Sequence, residues 1–377
     1  MIHSPGILLY ILAFALVIGP LVFLHELGHY LAGRLFGVKA EVFSLGFGNE
    51  LFGVTDKRGT RWKVSAFPLG GYVRFAGDMN AASQPDAEWL MLPPEERAKA
   101  FPGKPVWQRA IIVAAGPIMN FIVAIVILAG FAVIYGENRT PTAVGAVEAG
   151  SAAAAAGLVP GDTITALGGR PVETFVDMVM FVQPRSGETI RIDFVHAGKA
   201  QSREAVIGKQ SRTDKFGNVE EVGVLGVRAS TPIVAPVSIL QAPGVAVRQT
   251  RDILGFMVES IQRIVVGTIP LNQLHGPLGT AKVAGERLSL GPVEFVFLIA
   301  LVSINLGFIN LLPVPMLDGG HLFFYAIEAV RRKPVEPQIQ EWAFRGGLAA
   351  LLALMLLVTF NDLGSFGLWT SLSGLIG

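Results

Sequence analysis

The 377-residue chain contains no cysteine. Disulfides and thiolate metal ligands are therefore excluded, and any bound zinc must be held by nitrogen and oxygen. Charge is scarce too, at 16% of residues against 51% hydrophobic, which is the composition of a membrane protein. Neither sign dominates: 30 basic and 29 acidic side chains leave a net charge of +1, so no nucleic-acid-binding surface is expected. Met1 to Gly6 has no Lys or Arg, and no small-residue cleavage site follows the first apolar run. That run reads as a retained span, not a removed signal peptide.

Four segments are long and apolar enough to cross a bilayer, approximately 7–33, 107–135, 293–317 and 343–362. They predict a polytopic α-helical membrane protein with about four transmembrane helices. The second span is uncharged from Ala110 to Tyr135 yet contains Gly116-Pro117 and Asn120, residues that mark close packing or a polar cavity. Basic residues concentrate in the first connection (Arg34, Lys39, Lys57, Arg58, Arg61, Lys63, Arg74, Arg109) and the third (Arg331, Arg332, Lys333, Arg345). The positive-inside rule makes both loops cytoplasmic, with both termini and the long 136–292 connection outside.

Within the first loop, Glu41 to Phe75 alternates β-forming runs with turn signals at Gly46-Phe47-Gly48, Lys57-Arg58-Gly59 and Pro68-Leu69-Gly70-Gly71. A membrane-associated β-hairpin is predicted. Ala81 to Pro105 reads as an exposed linker carrying a short helix. Val245 to Leu274 has apolar residues at helical spacing, an amphipathic helix packed on the domain before it or resting at the interface.

At the end of the uncharged run Ile7 to Leu24 stands His25-Glu26-Leu27-Gly28-His29. In a helix the two histidines share one face and can share a metal, while Glu26 is turned by about 100° and can reach a metal-bound water. Five residues of this kind occur by chance in ordinary helices, but ionisable groups in a membrane segment are functional candidates. A catalytic zinc needs a third protein ligand. His3, His196 and His275 lie in less suitable settings; Asp318 follows directly on Asn310-Leu311-Leu312-Pro313-Val314-Pro315-Met316-Leu317, where two prolines break an apolar span. Asn310 is a candidate to bind substrate backbone or a developing oxyanion, with helix packing as its alternative. Asn120 and Asn305 are weaker candidates for the same cavity, and His321 is a candidate to orient Asp318.

The outer connection contains Val144-Gly145-Ala146-Val147, Gly150-Ser151 with five alanines to Gly157, Pro160-Gly161-Asp162 and Gly168-Gly169, which resembles a bacterial PDZ domain in one copy. The HExxH of the first span together with NxxPxPxLDG in a later one resembles the site-2 protease family of intramembrane zinc metalloproteases, in the regulator-of-sigma-E protease branch. That resemblance extends over nearly the whole chain. It implies zinc as cofactor, His25, His29 and Asp318 as ligands and Glu26 as catalytic base. It also implies a bacterial inner-membrane location with the active site towards the cytoplasm. The substrates it implies are transmembrane proteins already shortened by another protease, such as anti-sigma factors. Better-studied members of the branch carry two tandem PDZ domains, so gating ascribed to the pair does not transfer whole.

The organisation expected is a first half of the protease core over 1–135, a PDZ domain over 136–232, an amphipathic helical connection over 233–292 and the second half of the core over 293–377. A helical substrate hides its carbonyls in backbone bonds and must be unwound before cleavage. Trp62 to Val73 is expected to supply a strand edge for that purpose, with Trp62, Val64, Gly70, Gly71 and Tyr72 as substrate-binding residues. The rival from another class is a catalytically silent scaffold that binds partners through the PDZ domain, and a metal-ion carrier is more remote. Glu26 would be needless in either. Oligomeric state is not legible.

Overall fold

The structure is a computed structural model that describes residues 5–77, 93, 97, 99–216, 218–267 and 276–365. His3, His275 and most of the expected linker helix lie outside the described residues. In chain order the elements are α1 (Ile7–Leu35), β1 (Ala40–Thr55), β2 (Arg61–Phe75), α2 (Val106–Tyr135), β3 (Glu137–Asn138), β4 (Val144–Val147), α3 (Ala152–Ala155), β5 (Thr163–Leu167), β6 (Arg170–Pro171), α4 (Phe175–Val182), β7 (Thr189–His196) and β8 (Lys199–Val206). They continue with β9 (Gly208–Thr213), β10 (Val219–Val224), β11 (Val227–Ala229), β12 (Val234–Ala235), α5 (Ala242–Val265), α6 (Pro277–Leu290), α7 (Pro292–Leu311), α8 (Asp318–Arg331) and α9 (Pro337–Ser365). The described residues divide into two compact units, Ala129–Arg248 and a larger one made of Pro5–Leu128 and the residues from Gln249 on.

Among the described residues, four helices are long and apolar enough to span a membrane: Ile7–Leu35, Val106–Tyr135, Pro292–Leu311 and Gln338–Gly364. The third expected span, 293–317, stops at Leu311 because Pro313 and Pro315 cannot continue a helix, and Leu312 is already extended. Such helices satisfy their own backbone, which lipid cannot do; α1 accordingly leaves Ile7, Leu8, Ile11 and Leu12 exposed on one stretch. Its other side packs through Ala13, Val17 and Leu21 against Ala284 of α6 and Phe295 of α7.

The hairpin is more folded than a simple two-strand ribbon, because both strands bend. Val42–Leu45 lies between Gly71–Arg74 on one side and Arg61–Val64 on the other, and Phe52–Thr55 pairs with the far side of Arg61–Val64. Positive φ at Gly46 and Gly48 permits the bend in β1. Ring packing fixes the base: Trp62 stacks on Phe43 with centroids 4.3 Å apart, and Tyr30 of α1 meets Trp62 at 5.2 Å. At the connecting turn the Asp56 carboxylate accepts bonds from Trp62 Nε1–H at 3.0 Å, Thr60 N–H at 2.9 Å and Arg58 N–H at 2.8 Å. These donors, the Trp62 bond foremost, hold its pKa below the usual aspartate value. Phe47, Leu51, Phe52 and Phe67 are exposed on the bent end.

The smaller unit contains a four-stranded sheet in the order β6-β5-β7-β8, a β9–β10 hairpin and a β4–β11 pair. Ile164, Leu167 and Ile192 are fully buried, and Phe181 of α4 packs into the same core. The helix starts are written in the sequence. Ser151 Oγ accepts from Ala154 N–H, and Thr174 with Asp177 forms a reciprocal capping box.

One buried carboxylate in the larger unit escaped the sequence reading. Asp362 of α9 is 2% exposed and accepts bonds from Gly276 N–H at 3.0 Å and Gly279 N–H at 2.8 Å, the free donors at the start of α6. A lone carboxylate in an apolar span was the signal, and helix capping from another helix is its use. Replacing Asp362 by Ala is expected to remove about 1–2 kcal/mol of local stability. Amide exchange at Gly276 and Gly279 should then rise by roughly 5–30-fold; unaltered exchange would show that no such cap forms.

Candidate metal centre

Residues distant in sequence meet at the C-terminal half of α1. His25 and His29, one turn apart, place their Nε2 atoms 3.2 Å from each other. Asp318, at the first position of α8, brings Oδ2 to 3.1 Å from His25 Nε2 and 3.5 Å from His29 Nε2. Ligands on a tetrahedral zinc with bonds of about 2.0–2.1 Å stand about 3.3 Å apart, so the three donors already form one face of such a tetrahedron. Among the described residues these are the three that could hold a metal.

A donor set that merely packed together would satisfy itself with hydrogen bonds. Asp318 Oδ2 instead is buried beside the two Nε2 atoms with no aligned hydrogen-bond donor among the described residues, which for a charged oxygen costs more than about 1–3 kcal/mol. A cation at the centre of the three donors removes that cost. The residues present therefore fit zinc.

The second span supports both histidines. His29 Nδ1 meets the Ile112 carbonyl at 2.9 Å, so the ring donates there and its Nε2 keeps a lone pair for the metal. His25 Nδ1 meets the side-chain amide of Asn120, with Nδ2 at 3.1 Å, while Asn120 Oδ1 is buried without a partner. In this orientation the amide donates, His25 Nδ1 accepts, and the proton sits on Nε2, where a metal cannot bind. Turning the amide by 180° lets Oδ1 accept from Nδ1–H and frees Nε2. One rotation satisfies the unpartnered oxygen and produces the metal-binding tautomer.

Backbone approach makes the centre possible. A methyl at Gly116 would collide with His29 Nε2 and stand 2.9 Å from His25 Cε1, and one at Gly28 would collide with the Ala115 carbonyl. Thus α1 and α2 meet through glycines where the rings must fit. Ser303 of α7 donates to the Asn120 carbonyl at 2.7 Å. Beyond the double proline, Met316 is held at φ 82°, strained for a non-glycine residue, immediately before Leu317 and Asp318. The half-buried Arg109–Glu328 pair, at 2.7 Å, ties the start of α2 to α8.

Glu26 is buried beside this group and hydrogen-bonds the backbone of Val73 in β2. Gly71 lies against it too: a Cβ there would stand 3.0 Å from Glu26 Cγ. Gly70, Gly71 and Tyr72 therefore lie on the strand that passes the carboxylate. Trp62 and Val64 do not offer the expected free edge, because each is paired on both sides, Trp62 with Phe43 and Val54, Val64 with Leu45 and Phe52. Among the described residues, the edge without a second partner is Gly71–Arg74. Asn310 is half-buried at the end of α7 and its side chain makes no hydrogen bond among the described residues, and Asn305 is exposed. His321 lies against Phe344, centroids 4.9 Å apart, and His196 is paired with Asp162 at 2.7 Å.

Two histidines and a carboxylate beside a buried glutamate are the side-chain types with which metal-dependent hydrolases hold an ion and move a proton, set here among membrane-length helices. The model of Peptidase family M50 matches residues 13–354. The zinc metalloprotease homologue Atu1380 of Agrobacterium fabrum is 44% identical over 361 residues, covering 94% of this chain and 96% of its own. Metalloprotease MmpA of Caulobacter vibrioides is 38% identical over 394 residues, covering 98% and 99%. Among solved structures, the PDZ domain of an SdrC-like protein of Listeria monocytogenes matches 24% of this chain and 87% of its own, at 22% identity and a TM-score of 0.20. The chain belongs to peptidase family M50, the site-2 proteases, and is a membrane-embedded zinc metalloprotease.

Gly116→Ala is expected to push the imidazoles apart while leaving α2 helical, since alanine is the better helix former. Metal analysis of the purified variant should find little zinc at unchanged helical content. Full zinc occupancy would mean that the rings do not need that space.

Proposed function

We propose that His25, His29 and Asp318 hold the zinc and that Glu26 is the catalytic base of an endopeptidase acting within the membrane. The observation that carries this reading is the unpartnered Asp318 oxygen facing two imidazole nitrogens at 3.1 and 3.5 Å. When bound, zinc supplies Lewis acidity, activating water and polarising the scissile carbonyl. Glu26 takes the proton from that water on a carboxylate oxygen and delivers it to the leaving amine. With its amide turned so that Oδ1 faces the ring, Asn120 holds His25 with its proton on Nδ1, and the Ile112 carbonyl does the same for His29.

Substrate chemistry follows from the strand beside Glu26. A transmembrane helix must present an extended segment before a carbonyl is accessible, and Gly71–Arg74 has a free edge to pair with it. Gly70, Gly71 and Tyr72 then bind backbone, which accepts many sequences, and Asn310 is the candidate for the oxyanion. Trp62 and Val64 support the sheet from inside. Substrates are single-span membrane proteins already trimmed on one side, of the anti-sigma-factor type. The enzyme lies in the bacterial inner membrane with the basic loops and the metal centre towards the cytoplasm and the smaller unit outside. In that unit, read as the PDZ domain, a groove of about 260 Å³ between α4 and Gly223–Val227 is lined by Phe175, Met178 and Val182, and a chain end or the bulk of an untrimmed substrate is tested there.

Zinc content and cleavage of a transmembrane peptide, measured on one series of variants, separate these roles. Glu26→Gln should keep zinc and lose about 10²–10⁴-fold in rate. Asp318→Asn should weaken both. Asn120→Leu should bind zinc roughly 10–100-fold more weakly, with Asn120→Asp restoring it, because aspartate also accepts from Nδ1–H. A parent protein without metal or cleavage in any condition would rule out the assignment.

Val73→Pro removes a backbone donor from the free edge and from Glu26. Loss of a hydrogen bond to a charged group predicts a drop in kcat/KM of roughly tenfold to a hundredfold, at unchanged zinc content. Unimpaired cleavage would exclude strand pairing at this edge.

A further inference from the structure

The turn between β12 and α5 carries the most exposed large apolar residues of the smaller unit, Leu240 at 93% and Ile239 at 76%. Its flanks are well packed. Val237, Ala242 and Val245 are buried against Ala129 and Ala132 of α2. Two further contacts fix the same stretch. Val234 and Ala235 pair with Asn138 and Glu137, and Arg139 N–H bonds the Ile233 carbonyl at 2.8 Å. The turn is thus held rigidly, with its apolar tip turned out.

Its position says what covers the tip. Ala129 and Ala132 stand six and three residues before the end of α2 at Tyr135, or about 9 and 4.5 Å along the axis. That end belongs to an uncharged, membrane-length helix whose last turn also exposes Val133, Ile134 and Tyr135. Immediately beyond comes a polar cluster, Glu137 with Arg139 at 2.7 Å and Arg248 at 3.1 Å. The tip therefore belongs to the level of the last apolar turn of the span, below the ion pairs.

We propose that Ile239 and Leu240, with Ile233 and Val234 beside them, form a lipid-dipping turn that inserts into the leaflet where α2 ends. The partner is the acyl-chain and headgroup boundary of the bilayer. The flanks of the turn pack on the same end of α2 that exposes Val133, Ile134 and Tyr135, so a protein partner would need to sit within the lipid annulus to reach the tip. Fixing the turn in lipid sets the depth at which α5 begins. It is independent of the zinc assignment.

The absence of cysteine makes the test direct. In the full-length protein, Leu240→Cys and, separately, Ile239→Cys are labelled with a nitroxide and placed in phosphatidylcholine/phosphatidylglycerol nanodiscs. Collision rates are measured with oxygen, which concentrates in lipid, and with a water-soluble nickel chelate. Ile134→Cys serves as the lipid reference and Arg228→Cys as the water reference. Both turn labels are expected to favour oxygen as Ile134→Cys does, with nickel accessibility several-fold below that of Arg228→Cys. Nickel accessibility equal to Arg228→Cys would place the turn in water and overturn the proposal. Shielding from both reagents would show that protein covers it, which overturns it equally.

Discussion

The interaction on which this structure depends is the mutual approach of two imidazoles and a carboxylate beside hydrocarbon. Left to themselves, such groups are costly to desolvate, and the Asp318 oxygen that finds no hydrogen-bond partner is the visible residue of that cost. Features that look unrelated follow from bringing them together. Glycines at 28 and 116 let α1 and α2 approach until the rings fit. A double proline ends α7 six residues before the expected limit, so that a short connection can bring a carboxylate back into the helical layer at the start of α8.

The proposed substrate sets a second problem, since a transmembrane peptide is itself buried and helical. The hairpin answers it with geometry. Its two bent strands leave most backbone groups paired, yet the Gly71–Arg74 segment lies at an edge and Val73 bonds Glu26. The same strand that fixes the carboxylate thus runs where an extended substrate can be held. Gly71 is required because Ser44, Val22 and Glu26 crowd the place its side chain would take.

That His25, His29 and Asp318 would meet was legible because chemistry was written in spacing: His25 and His29 by the helical repeat, Asp318 by a carboxylate following a break in an apolar run. The four spans were legible for a similar reason, as uncharged lengths matched to a bilayer. What hydropathy does not encode is which strand segment becomes an edge. Trp62 and Val64 lie in the most β-like run of the loop, and that propensity put them inside the sheet, paired on both sides. The end of the third span was set by proline chemistry that a hydropathy window averages away. Asp362 and Ile112 were invisible for different reasons. Asp362 acts on donors more than eighty residues earlier in the chain, and Ile112 contributes a backbone carbonyl, which no side-chain motif records.

Under the proposed assignment, a carboxylate as third ligand has its own logic. Zinc with two neutral imidazoles retains two positive charges, and one carboxylate reduces the set to a net single charge. In a low-dielectric surround that reduction lowers the cost of housing the ion, whereas a third histidine would leave it unchanged. A single remaining charge still suffices to polarise a carbonyl and acidify water. The carboxylate also stands at the N-terminus of α8, where the helix dipole favours an anion before any metal arrives. The histidines need the opposite kind of help. They must stay neutral with Nε2 unprotonated, which is why their outer nitrogens meet acceptors on α2, a carbonyl for His29 and an amide able to turn its oxygen for His25. Charge is supplied from one helix and tautomers are fixed by another, so the centre is assembled only when α1, α2 and α8 are together.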